Sequence, residues 1–512
     1  MPEYKTPGVY VEEVDRGSKP IEGVSTSTAG FLGATERGRT APQLVTSFPD
    51  FRRKYGGFIE SSYLSYAVEG YFRNGGSRCY VGRVAAADDD VASTTLVDDE
   101  DDAQADDVLE VSAVGPGSWG GNVAVVVDDG TLYKDGENEL FAVTIRYWTD
   151  LEDVDGDPSD EEIVDAQDDP DREEVYDNLS PDESSSDFYE KRIGGVSTLV
   201  DVERVGPGRP INGTTLLDDV GEDDDVTVGD FQGSDEPGER TGLAAFETVD
   251  EAAIICAPDE VRSGLSGLMD ELVDHCENRG DRFAILQAEQ SAGSIGDLEP
   301  PRDTSYAAFY YPWLRIRDPA TETRKLVPPG GHVAGIYSRS DQEKGVHKAP
   351  ANEVVRGAQE LQHSITKGEQ ATLNPRGVNC IRSFPGRGIR VWGARTMSSD
   401  PSWKYVNVRR LFLYLRSSID EGTQWVVFEN NDEELWARVR QTISNFLTGV
   451  WEDGALMGTT PDEAFFVKCD RSTMTQNDID NGQLICEIGV APVKPAEFVI
   501  FRISQWTEGA EG

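Results

Sequence analysis

Of the 95 carboxylates in this 512-residue chain, 47 lie between Asp88 and Arg240, where only 8 basic residues accompany them; the other 359 residues carry 48 against 39. A stretch so charged cannot share one apolar core with its flanks, because charged side chains stay in water unless paired. It predicts a separate unit over 88–240. Within it, VLEVSAV (108–114), NVAVVVDD (122–129) and LFAVTIRYW (140–148) alternate with the period of half-buried strands. The stretch therefore reads as a small β-domain whose connections, around 150–187 and 218–225, are acidic.

The flanks read differently. Before it, AGFLGAT (29–35) reads as a buried strand, SFPDFRRKYGG (47–57) and SSYLSYAVEGYFRNGG (61–76) as helices, and RCYVGRV (78–84) as a strand. After it come a strand, AAIICAPD (252–259), a helix over 260–280 and another strand, RFAILQAE (282–289). Helix and strand alternate on both sides, so the pattern predicts one α/β domain with a largely parallel sheet, interrupted by the β-module. Over 367–512 charge nearly balances, 19 acidic against 16 basic, and GVNCIRSF, IRVWGART, a helix starting at Asp432 and a terminal strand suggest an α+β domain.

Net charge is −48, which excludes polyanions such as nucleic acid and anionic membrane as natural partners. No apolar run approaches ~20 residues and no basic leader precedes an apolar core, so neither a membrane span nor a secretory signal is expected, and assembly in the cytoplasm is. The excess of acid and the shortage of lysine relative to arginine resemble haloarchaeal proteins, in which molar salt shortens screening to ~3 Å.

Catalytic hardware is sparse. The six cysteines (79, 256, 276, 380, 469, 486) have no CxxC spacing and read as buried thiols; the four histidines (275, 332, 347, 363) have no metal-ligand spacing. GPGSWGGN (115–122) lacks the Lys-Ser/Thr of a phosphate loop and precedes a strand, so it reads as a turn. Asp153, Asp155 and Asp157 are spaced like the start of a calcium loop, but Pro158 stands where that loop turns on glycine. Arg409, Arg410, Arg416, Arg438 and Arg440 form either a basic face for an acidic partner or ion pairs within their own domain. An acidic calcium-binding surface or adhesion protein and a halophilic hydrolase are the alternative classes; the first needs repeated ligand motifs, the second a recognisable nucleophile or metal site.

Near the N-terminus stands PGVYVEEV. Val9 and Val11 fall on one side of an extended chain and Tyr10 on the other, a strand for which the following DRGSKPIEG offers no partner.

Several ordered stretches resemble the contractile tail sheath family of phages, archaeal viruses and phage-tail-like injection particles. They are YKTPGVYVEEV (4–14), PGSWGGNVAV (116–125), PPGGHVAGIYSRSDQEKGVHKAPANEVVRGA (328–358), LNPRGVNCIRSFPGRGIRVWGARTMSSDPSWKYVNVRRLFLYLRSSI (373–419) and IGVAPVKPAEFVIFRISQ (488–505). The resemblance covers most of the chain outside 88–240.

It implies a structural protein without catalysis, cofactor or metal. Many copies would stack as rings or a helix around an inner tube, between baseplate and cap proteins, and contract to drive the tube through a target envelope, in a virion tail or an injection particle. It implies an arm at 1–28, an α/β middle domain at 29–87 and 241–366, an outer acidic β-rich insertion at 88–240 and an inner α+β domain at 367–512. The terminal arms would reach into neighbouring copies and complete their C-terminal sheets. Val9, Tyr10 and Val11 in one arm, and Val499, Phe501 and Ile503 in the other, are the candidate strand-exchange residues; the five arginines or the helix from Glu433 to Trp451 are the candidate tube contact.

Overall fold

A computed structural model describes residues 20–98, 106–134, 139–152, 154, 158–291 and 295–501. The described residues form two compact units, one of residues 25–344 and 349–409 and the other of 20–24, 345–348 and 410–501.

The larger unit is built on the uniformly apolar run Ala29–Gly33, every residue of which is buried. A strand buried on both faces belongs in a parallel sheet covered by helices. It pairs in parallel with Cys79–Arg83 on one side and Ile254–Cys256 on the other. Parallel pairing continues through Phe283–Gln287, Ala307–Tyr311 and Val378–Phe384. Antiparallel Gly388–Val391 and then Glu353–Val354 close one edge, and Gln43–Val45 the other, giving nine strands. The acidic stretch thus leaves from one neighbour of Ala29–Gly33 and returns at the other.

Two helices over this sheet, Leu64–Asn74 and Gly330–Lys344, approach closely because glycines line their contact. A Cβ on Gly331 would collide with the Ala67 main chain and one on Gly335 with the Tyr71 carbonyl, while Gly70 faces the His332 ring. This close approach accounts for the glycines of PPGGHVAGIY.

The acidic stretch folds as two antiparallel sheets on one shared core. Gly213–Leu216, Val123–Asp129, Phe141–Tyr147 and Arg172–Leu179 form one; Ser93–Val97, Asp107–Ala113 and Val200–Arg204 form the other. Alternate residues point inward, as in Phe141–Tyr147, where Phe141, Val143, Ile145 and Tyr147 are buried. Arginines fasten it to the α/β sheet: Arg39, in a loop, forms a bidentate pair with Asp201, both contacts 2.6 Å, and Arg83, at the end of the strand Cys79–Arg83, donates to the Pro116 carbonyl at 2.8 Å. GPGSWGGN is a turn, with a 3-10 segment at Ser118–Asn122 that leads directly into a strand.

In the smaller unit, the helix Glu433–Glu452 presents Leu435, Val439, Ile443, Leu447 and Val450 as one apolar stripe. Asp432 caps it, its carboxylate accepting from the Glu434 and Leu435 amides. Leu411 and Leu415 of the helix Val406–Thr423 pack in the same core, with Ile21 beside Gly422.

Two expectations need correction. The chain changes units at Arg409/Arg410 rather than at 367, because GVNCIRSF joins the large sheet through Phe309 opposite Val378. The helix expected over 260–280 is split into a 3-10 turn, Pro258–Val261, and a helix, Leu268–Arg279. Gly264 and Gly267 between them take φ of 99° and 103°, outside helical space.

Candidate assembly surfaces

The smaller unit ends in a two-stranded antiparallel sheet, Phe465–Lys468 with Glu487–Val490. Phe465, Val467 and Val490 rest on the core beside the Glu433–Glu452 helix. On the other face the Phe466 ring lies over Gly489, where any Cβ would collide with it, and the Lys468 ammonium sits 5.1 Å from the ring centroid. The 470–485 connection is tied down locally: Thr473 Oγ1 donates to the Ile485 and Asp470 carbonyls, and Thr475 with Asp478 forms a capping box. Among the described residues no third strand joins either strand of the pair. Two strands alone are marginal, and their outer edges carry backbone donors and acceptors suited to another strand.

Beyond this sheet, Val493 donates to the Ala455 carbonyl and Met457 to the Ala491 carbonyl. Residues 494–501 then run in no helix or strand, with Phe498, Val499, Ile500 and Phe501 exposed by 68 to 85%. Four consecutive exposed apolar residues are unusual on a chain otherwise so charged. Of the expected exchange residues, Val499 and Phe501 are therefore in solvent; Val9, Tyr10, Val11 and Ile503 lie outside the described residues, as do Asp153, Asp155 and Asp157.

The five arginines do not make one basic face. Arg409 stacks on Trp403, 3.6 Å from its centroid, and donates to Ser305 Oγ at 2.6 Å. Arg410 is buried. Arg438 pairs with Glu429 at 3.1 Å, and Arg440 donates to the Cys469 carbonyl. Arg416 alone is exposed, with no hydrogen bond or ion pair to a described residue. Sequence reasoning missed this division because an arginine among aromatics reads the same whether it stacks inward or faces out.

Elsewhere several titratable groups are buried in packing. His275 and His332 are both pushed down to about 4, chiefly by burial. Asp259 accepts from Ser62 Oγ and the Tyr63 amide, and Glu260 from the Gln287 amide and side chain; burial pushes them up to about 6 and about 8. Among the described residues no three His, Cys, Asp or Glu side chains gather as a metal site, and no helix is long and apolar enough to cross a membrane.

Residues 232–397 match the family described as phage tail sheath protein central domain, and residues 398–505 match the phage tail sheath C-terminal domain. The chain belongs to the phage tail sheath family. The matches adjoin at 397/398, close to the change of units, and the strands of the acidic β-module, the last of them Gly213–Leu216, precede both. Among relatives, the tail sheath protein of Vibrio phage KVP40 is 26% identical over 200 residues, covering 38% of this chain and 29% of that one. That of Salmonella phage ViI is 29% identical over 195 residues, covering 37% and 30%, so the match spans under a third of either relative's length. That of Burkholderia phage BcepMu is 24% identical over 296 residues, covering 53% and 61%. Whole-chain likeness comes from solved sheaths. The sheath of the extracellular contractile injection system PVC in its contracted state has a TM-score of 0.58 at 22% identity, covering 99% of both chains. The contracted helical sheath of the anti-feeding prophage gives 0.60 at 23%, covering 98% of this chain and 99% of that one. At these identities the shared feature is the tail sheath fold.

Proposed function

We propose that this tail sheath chain is a structural, non-catalytic subunit that polymerises around an inner tube and contracts to drive that tube through a target envelope. The observation that carries this reading is the two-stranded sheet at 465–468 and 487–490, which no other strand among the described residues joins at either edge, in a chain that also carries an exposed apolar segment at 498–501. Whole-chain likeness to contracted sheaths supports it.

In this reading Val9, Tyr10 and Val11 of one copy, and Val499, Phe501 and Ile503 of another, add as strands to the open pair, so that backbone hydrogen bonds link the copies and alternate side chains set register. Links of this kind persist while rigid units turn, and contraction draws its energy from contacts that differ between two states, summed over many copies. Arg416 and the exposed side of the Glu433–Glu452 helix are the surfaces offered to the tube, and baseplate and cap proteins bound the assembly at its ends. The charge suits a haloarchaeal host with molar salt. Assembly takes place in the cytoplasm, before incorporation into a virion tail or injection particle.

Electron microscopy of the purified chain in molar salt tests the proposal: rings or tubes are expected, and monodisperse monomers at every concentration contradict it. Reversing Arg416 to Glu is expected to leave the subunit folded while lowering its co-assembly with tube protein; unchanged co-assembly removes Arg416 from the tube contact.

A further inference from the structure

The ladder of the two-stranded sheet runs from Phe465 opposite Val490 to Lys468 opposite Glu487. One step further in the same register, Cys469 stands opposite Cys486. Both fall on the parity of Phe465, Val467 and Val490, which rest on the core, and both pack in that core. Facing residues of an antiparallel pair have Cα atoms about 4.5–5.5 Å apart, within the span a disulfide bridges. We propose that Cys469 and Cys486 are a redox modification site that closes to an intrachain disulfide and fastens the two strands together.

The pair is built for exchange with a small disulfide oxidant. Cys469 is fully buried, whereas Cys486 is half-buried and within reach of solvent. The Cys469 thiol is held below its usual range, first by a hydrogen bond from the Cys486 thiol and then by Arg440, while Cys486 is pushed up. The other four cysteines lie buried in the larger unit and are all pushed up by burial, which disfavours their thiolates.

In the reaction the Cys469 thiolate takes the Cys486 proton, and Cys486 attacks one sulfur of the oxidant to form a mixed disulfide, expelling a thiolate that leaves as thiol with the proton returned from Cys469. Cys469, again a thiolate, then attacks the Cys486 sulfur and expels the second oxidant thiolate, which water protonates. Two protein thiols are oxidised and one oxidant disulfide is reduced to two thiols. The consequence for assembly rests on the proposed strand exchange: a cross-linked pair is a more rigid template for incoming strands, set once a particle meets an oxidising medium.

The test uses the unassembled full-length chain with oxidised glutathione, alkylation, intact mass and peptide mapping, read beside hydrogen exchange. Expected are the loss of two free thiols, a linked Cys469–Cys486 peptide reversed by dithiothreitol, and slower exchange over 465–468 and 487–490. Cys486→Ser, at the less buried position, is expected to abolish the link. Six free thiols after oxidation, linkage through Cys79, Cys256, Cys276 or Cys380, or unchanged exchange in the linked chain overturns the proposal. These readouts need no assembly, so a failure of strand exchange leaves them interpretable.

Discussion

Buried single residues set two measurable properties of the subunit. Glu260 and Asp259 hold protons in the fold up to about pH 8 and about pH 6, where the unfolded chain, with ordinary values of 4.5 and 3.8, has lost them. The folded state therefore binds more protons across that window, and this contribution to stability falls as pH rises through it. His275 and His332 act oppositely: neutral in the fold down to about pH 4, they are protonated below about 6.5 once unfolded, so stability falls as pH drops below 6.5. Melting temperature is expected to peak between about pH 6 and 7, and Glu260→Gln to flatten the alkaline side; an unchanged alkaline slope in that variant removes Glu260 as its cause. Gly331→Ala, which forces a methyl onto the Ala67 main chain, is expected to cost about 1–3 kcal/mol by denaturant midpoint, as overpacked sites do. A cost within ~0.5 kcal/mol means the two helices separate easily.

Elements carry the proposed assembly, and they divide into those readable along the chain and those fixed only by pairing. Val499→Asp with Phe501→Asp is expected to leave melting within the ~0.5 kcal/mol typical of surface changes while abolishing rings and tubes; normal assembly from that variant contradicts exchange by the C-terminal segment. The alternation in Phe141–Tyr147 and the capped stripe of Glu433–Glu452 were legible because each is a local pattern that packing then satisfies. The membership of Val378–Phe384 in the large sheet was not, because its parallel partner, Ala307–Tyr311, stands far back in the chain and no turn signals the pairing. The same holds for the candidate sites. Val499 and Phe501 stand out as apolar residues with nowhere to pack, but the Cys469–Cys486 juxtaposition exists only once the register is known, and Arg409 betrays its stacking on Trp403 only in three dimensions.

At the scale of the whole molecule, a net charge of −48 makes the folded chain repel itself unless salt intervenes. Raising salt from ~0.1 M to ~1 M shortens the Debye length from ~10 Å to ~3 Å, so melting temperature and the yield of assembled particles are both expected to climb over that range. A flat melting temperature contradicts the halophilic reading without touching the fold. The central claim, that copies are joined by strands exchanged into an open pair, is tested most directly by a cryo-EM reconstruction of the assembled particle. The strands at 465–468 and 487–490 are expected to gain two more, built from residues around 9–11 and 499–503 of neighbouring copies. Density that returns both arms to their own chain, with the pair still two-stranded between packed subunits, contradicts it.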